Sequence, residues 1–187
     1  PPHVAENRSP IDIDGNAAFT SENGVSAGDG SFEDPYIIEN WMINPSSAYG
    51  IRIQNTNAYV IIRNCTVTGT IHNYHGISLI FVQNTRIENN IVSNTSIGIY
   101  LGGSSNNTIA DNVASNNVLG IALSYSSNKN TITHNTASNI DYGIRLYVSS
   151  NNTIAHNTAF NNEYGIYLNF SSNNTIAHNT AFNNEYG

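Results

Sequence analysis

The chain has 187 residues, enough for one domain with a continuous core. Its formal net charge of −7, from six Lys and Arg against thirteen Asp and Glu, excludes the basic patch on which nucleic-acid binding depends. No apolar run is long enough to span a membrane, and charged residues make up only 10% while asparagine occupies 33 positions, so the polarity comes from uncharged amides and hydroxyls.

Residues 1–48 contain no repeat unit and carry Asp12, Asp14, Asp29, Glu33, Asp34 and Glu39. We expect this stretch to form lead-in strands that cap a solenoid occupying 49–187, because an open solenoid end exposes unpaired backbone groups. Pro1-Pro2, with no initiating Met, is the start expected of an exported chain whose leader has been removed or of a fragment. Seven Asn-x-Ser/Thr sequons, at Asn7, Asn64, Asn94, Asn106, Asn151, Asn169 and Asn173, permit glycosylation.

From Gly50 onward the chain repeats. Gly-Ile recurs at Gly50, Gly76, Gly98, Gly120, Gly143 and Gly165, at intervals of 26, 22, 22, 23 and 22 residues. Segments 143–164 and 165–186 agree at 19 of 22 positions. Each unit reads Gly-Ile-x-Leu, a Ser-Ser-Asn-Asn turn, Thr-Ile-x-x-Asn-x-Ala, then Asn and a return to Gly. The alternation is that of strands, and no helical periodicity is sustained. The fold class is therefore all-β, a single right-handed parallel β-helix with one circuit per 22 residues.

Stacked circuits turn each position into a column with a spacing of about 4.8 Å. The core columns are Ile77, Ile99, Ile121, Ile144, Ile166; then Leu79, Leu101, Leu123, Leu146, Leu168; then Ile87, Ile109, Ile132, Ile154, Ile176; and a thinner one from Val92 through Ala114, Ala137 and Ala159 to Ala181. Asn90, Asn112, Asn135, Asn157 and Asn179 form a polar column whose stacked amides donate and accept in turn. Asn94, Asn116, Asn139, Asn161 and Asn183 form another, read equally well as turn formers. Cys65, the single cysteine, excludes an internal disulfide and is read as a buried apolar thiol.

The coil at 151–168, Asn-Asn-Thr-Ile-Ala-His-Asn-Thr-Ala-Phe-Asn-Asn-Glu-Tyr-Gly-Ile-Tyr-Leu, resembles the repeat of the NosD-like right-handed parallel β-helix family. Gly28-Asp29-Gly30-Ser31 and Asp34-Pro35-Tyr36-Ile37-Ile38-Glu39-Asn40-Trp41 resemble the lead-in to such coils in archaeal surface proteins. The resemblance implies an exported, envelope-associated protein and is specific for fold, since that fold carries lyases, epimerases, adhesins and a copper-site maturation factor.

His134, His156 and His178 share one column and are the metal candidates, for copper or zinc. Rings strung on a line do not surround an ion, and Met42 is the only methionine, so no metal or other cofactor is expected. Asp141, Glu163 and Glu185 read as a solvated acidic column. No catalytic residue is assigned, because the coils after Gly76 lack long loops and no facing carboxylate pair is evident. The one irregularity is the four-residue excess near Ile71-His72-Asn73-Tyr74-His75. Tyr142, Tyr164, Tyr186, Phe160 and Phe182 form exposed aromatic columns suited to sugar stacking or lateral packing.

The expected function is that of an extracellular structural or adhesive surface solenoid, self-associating end to end into a fibre or sheath. The alternatives are a carbohydrate-binding or carbohydrate-processing module, and a copper-related envelope protein. Self-association and glycans are the expected partners.

Overall fold

A computed structural model of the chain describes residues 6–70 and 73–187. Three parallel sheets run the length of the molecule, and each circuit visits the second, third and first in turn. Among the described residues the first sheet has eight strands, from Glu6–Arg8 and Trp41–Ile43 to Thr180–Phe182. The second has seven, from Ile11–Asp14 through Ile97–Gly102 to Tyr164–Asn169; the third also has seven, from Tyr36–Glu39 to Thr175–Ala177. This is a right-handed parallel β-helix, and among the described residues it contains no α-helix.

Pairing is in register. Ile99 faces Ile77 and Ile121, Leu101 faces Leu79 and Leu123, and Ile109 faces Ile87 and Ile132. The side chains from Ile77 to Ile144, Leu79 to Leu146 and Ile87 to Ile154 in these columns are fully buried. Each such residue contributes about 1.5–3 kcal/mol of apolar burial. The repeated Gly lies where adjacent coils approach most closely. A Cβ at Gly98 would sit 2.7 Å from the Gly120 carbonyl oxygen and 3.1 Å from Ala114 Cβ, so a side chain there would push the coils apart.

Residues before 49 do more than cover an end. Ile11–Asp14 pairs with Ile51–Thr56, Tyr36–Glu39 with Val60–Arg63, and Trp41–Ile43 with Thr66–Thr68, all parallel. Ile11, Ile13, Ile38 and Ile43 thus extend the core columns by one coil that has no Gly-Ile start. Between them residues 15–35 fold over the core, with Phe19 stacked on Tyr36 at 4.4 Å and Trp41 Nε1 donating to the Gly24 carbonyl at 3.0 Å.

The column from Asn90 to Asn179 is a continuous amide ladder. Asn112 Nδ2 donates to Asn135 Oδ1 (3.0 Å) and to the carbonyls of Ile87 and Ala110, both at 2.9 Å. Its Oδ1 accepts from the backbone N–H and from Nδ2 of Asn90, both at 3.0 Å. Cys65 occupies the next place up, its N–H donating to Asn90 Oδ1 at 2.9 Å and its Sγ lying 3.4 Å from the Arg63 carbonyl oxygen. A second ladder, the buried Asn107, Asn130 and Asn152 with the half-buried Asn174, lies within the Ser-Ser-Asn-Asn turns. Beside it runs a row of buried or half-buried serines, Ser104, Ser127, Ser149 and Ser171.

Asn94, Asn116, Asn139, Asn161 and Asn183 are not a buried ladder. Their side chains are exposed and their φ values of 53° to 58° place them in the left-handed region. A single residue of positive φ makes the bend, and the following residue, such as Asn117 or Asn162, turns its amide inward to the carbonyls of Val92 and Ala137. Asn is among the few L-residues that tolerate this conformation.

Removing a ladder amide leaves several buried groups unpaired at about 1–3 kcal/mol each, so Asn112→Ala is expected to lower stability by about 3 kcal/mol in urea denaturation. Asn116→Gly, at an exposed bend, is expected to change it by less than about 0.5 kcal/mol. Burial pushes the Cys65 thiol up to about 11. A thiol-reactive dye at pH 8 is therefore expected to label the chain only in denaturant.

Candidate functional site

Side chains alternate along the Ile-x-Leu-x part of each strand of the second sheet, so the two x positions point outward. At the repeated Gly the alternation breaks, Gly143 and Ile144 both being buried, and the residue before it, such as Tyr142, packs on the same outer face against Tyr167. Three outward columns result. The first carries Tyr49, His75, Ile97, Leu119, Tyr142, Tyr164 and Tyr186; the second Asp12, Arg52, Ser78, Tyr100, Ala122, Arg145 and Tyr167; the third Asp14, Gln54, Ile80, Gly102, Ser124, Tyr147 and Asn169. Seven of the eleven tyrosines of the chain lie in these columns.

Over the later coils the rings form a platform. Tyr142 stacks on Tyr164 at 4.7 Å and 7°, and Tyr164 on Tyr186 at 4.8 Å and 16°. Tyr167 meets Tyr142 and Tyr164 in edge-to-face contacts, both at 5.3 Å. The Arg145 guanidinium lies between the outer columns, its Cζ 5.6 Å from the Tyr142 ring centre and 5.5 Å from that of Tyr147. Gly102 leaves room for the Tyr100 ring to lie flat across the sheet, since a Cβ there would meet the Tyr100 hydroxyl oxygen at 2.9 Å.

At the other end of the face the rings turn edge-on around a cleft of about 240 Å³, lined by Asp12, Tyr49, Arg52 and Tyr74 among others. Tyr49 packs on Tyr74 at 5.6 Å and on His75 at 5.1 Å, and His75 packs on Tyr100 at 4.6 Å. Arg52 lies over Tyr49 while its Nε donates to Asp12 at 2.8 Å. Burial lowers the His75 imidazole from its ordinary 6.5 to about 4, so it is neutral at physiological pH. Its Nδ1 is shielded and has no hydrogen-bond partner.

The edge of this face toward the third sheet is a ridge of exposed apolar side chains. Phe81, Tyr125, Val148 and Phe170 occupy one bend with φ of 54°, 56°, 49° and 50°. They are 65%, 70%, 41% and 76% exposed. A β-branched or bulky residue at positive φ is strained, and Gly103 at the same bend shows that the backbone needs no side chain there. Phe170 sits edge-to-face with Tyr147 at 6.1 Å.

Tyr142, Tyr164 and Tyr186 belong to this platform. Phe160 and Phe182 do not: they stack on each other at 5.1 Å on the first sheet. His134, His156 and His178 lie on a third surface, the bend between the third and first sheets, where Asn64, Asn89 and Asp111 precede them. All six have φ between 53° and 57°. His shares with Asn and Asp the tolerance for this conformation, which accounts for the column without a ligand.

Neighbouring imidazoles of that column stack at 5.0 Å with planes 10° and 14° apart, so their ring nitrogens point along parallel planes instead of converging. His134 Nδ1 also meets the Thr133 hydroxyl at 2.8 Å. Among the described residues no three His, Cys, Asp or Glu side chains are grouped to hold a metal ion. These residues do not fit a copper centre.

Tyr49, Tyr100, Arg145, Tyr147 and Tyr167 are absent from the residues singled out in the sequence, and Tyr74 and His75 enter there only as part of the irregular stretch. The signal that finds them is the outward half of each strand, where residues need share only direction. Of the irregular stretch at 71–75, Ile71 and His72 lie outside the described residues, and Tyr74 and His75 border the cleft.

The family described as periplasmic copper-binding protein (NosD) matches residues 68–187. No curated protein matches the chain. Among solved structures, the complex of XylC with xylose is similar in fold, with a TM-score of 0.67 and 15% identity over 91% of this chain and 32% of that one. The chain thus spans about a third of XylC. The Azotobacter vinelandii mannuronan C-5 epimerase AlgE4 A-module matches with a TM-score of 0.47 and 16% identity, over 93% of this chain and 66% of that one.

A histidine whose proton affinity is lower in the folded state favours unfolding as it becomes charged. Between about pH 6.5 and pH 4 the unfolded chain binds the extra proton, so stability falls as the pH drops through that window. Urea midpoints measured from pH 7 to pH 4 are expected to fall less steeply in His75→Phe than in the parent chain.

Proposed function

The chain belongs to the NosD family, and from that premise we propose that it is an exported, non-enzymatic surface solenoid that adheres to extended polysaccharide through the tyrosine face of its second sheet. The observation that carries this reading is the concentration of tyrosine rings on one outward face, spaced by the coil repeat and edged by exposed apolar side chains. Tyrosine offers an apolar ring for the C–H face of a pyranose and a hydroxyl for its polar rim, at little loss of side-chain entropy. The stacked row presents ring edges and hydroxyls, flanked by Tyr167 and Tyr147, as a continuous strip that suits a long chain lying along it, whereas a small molecule is held by an enclosed pocket.

The xylose named with XylC supports carbohydrate as the ligand class. Binding is favoured over hydrolysis because Asp12 is engaged by Arg52 and Asp14 by Gln54 and Asn55, while the exposed Asp141, Glu163 and Glu185 stand in one row along the edge of the face and not as a facing pair. The family description supports an envelope or extracellular setting. Copper handling lacks that kind of support, since the stacked histidines do not converge.

Affinity electrophoresis in gels containing xylan, glucan or mannan tests the reading. The parent chain is expected to be retarded by at least one polymer, and Tyr164→Ala/Tyr167→Ala to bind about tenfold more weakly, equivalent to about 1.4 kcal/mol. Phe160→Ala, on another sheet, is expected to bind as the parent does. Sedimentation of the parent chain across a concentration series separates the competing use of the same surface. A concentration-dependent assembly dissolved by the double substitution, with no retardation by any polymer, would make the face a self-association surface in a fibre or sheath.

A further inference from the structure

Within the tyrosine platform one group is chemically out of place. Of the five arginines in the chain, Arg52, Arg63 and Arg86 pair with Asp12, Glu39 and Glu88, and Arg8 donates to the Glu22 carbonyl oxygen. Arg145 has no such partner. Among the described residues no carboxylate lies within ion-pair distance of it, and its Nε is shielded from water with no acceptor in reach. The rings of Tyr142 and Tyr147 hold the guanidinium between them. A planar fork of donors held by aromatic faces and lacking an acceptor is the complement of a carboxylate, which it can bind through two parallel hydrogen bonds.

The surrounding charge narrows the class further. Asp141, Glu163 and Glu185 are exposed and immediately precede Tyr142, Tyr164 and Tyr186, so they line the same edge of the platform as those rings. Like charges within a Debye length of about 8–10 Å repel an incoming polyanion. One unpaired cation beside a row of carboxylates suits a largely neutral glycan that bears isolated acidic groups, and opposes one charged at every sugar.

We propose that Arg145, with Tyr142 and Tyr147, forms a subsite for the carboxylate of a uronate borne singly on a neutral polysaccharide. This deepens the polysaccharide reading and rests on it. When the uronate is seated, its two oxygens accept from the terminal Nη–H groups of the guanidinium, while neighbouring neutral sugars lie against the ring edge and hydroxyl of Tyr164 and against Tyr167. No bond is made or broken; the subsite selects and orients.

The test uses titration calorimetry of the whole chain with glucuronoxylan oligosaccharides, with the same oligosaccharides after reduction of their carboxyl groups, and with oligogalacturonides. The parent chain is expected to bind the uronate-bearing xylan about tenfold more tightly than its reduced form. In Arg145→Gln that preference is expected to disappear while the affinity for the reduced form stays unchanged; Arg145→Lys, which keeps the charge but loses the fork, is expected to retain only part of it. An unchanged preference in Arg145→Gln, or an equal loss for both xylans, overturns the subsite while leaving polysaccharide binding intact. Tighter binding of the oligogalacturonides than of glucuronoxylan overturns the restriction to isolated uronates, and an equal Arg145-dependent gain from a sulfated xylan overturns the assignment to a carboxylate. Absence of binding to every sugar by the parent chain removes the polysaccharide reading itself.

Discussion

Every coil must place polar backbone beside its core at each bend, and the buried amide ladders are what make that tolerable. In the column from Asn90 to Asn179, each Nδ2 reaches a carbonyl in the preceding coil and the amide oxygen of the following one, while each Oδ1 takes a backbone N–H that the bend would leave unpaired. An unsatisfied buried donor costs about 1–3 kcal/mol, and a coil this short has no spare residues to shield one. The remedy is local and repeated: a residue at positive φ turns the chain outward, and the next returns an amide to the interior. Core columns, sheet register and the direction of every outward side chain follow from that pairing.

The same rule explains why some positions repeat strictly and others drift. Inward positions face identical neighbours above and below, so Ile stays over Ile and Asn over Asn. At the bends the requirement is conformational, and Asn64, Asn89, Asp111 and His134 meet it with different chemistry. Outward positions carry no such constraint. The tyrosines, Arg145 and the ridge from Phe81 to Phe170 therefore lie outside the columns that set the core and the register.

The Gly-Ile spacing, the four core columns and the amide column through Asn112 were legible because burial in a stack forces identical residues into identical places. The inward amides of Asn117 and Asn162 were hidden behind the more regular Asn94 to Asn183 column, whose periodicity reflects backbone conformation and not burial. The coil formed before residue 49 escaped detection for a related reason. Ile11, Ile13, Ile38 and Ile43 sit in the right columns, yet a loop of residues 15–35 separates them and no glycine announces the start. The tyrosine face was only glimpsed through Tyr142, Tyr164 and Tyr186; Tyr100 and Tyr147 belong to it by direction alone.

Because Tyr142, Tyr164 and Tyr186 are translated copies separated by one coil, a polymer on this surface meets nearly the same environment after each shift by one step. Away from Arg145 such a track has no single docked position. A chain lying on it occupies several equivalent alignments, gains the mixing entropy among them, and can creep along the rod without letting go. Grip then grows with the length of rod in contact and fades gradually as rings are lost, which is the behaviour of a tether.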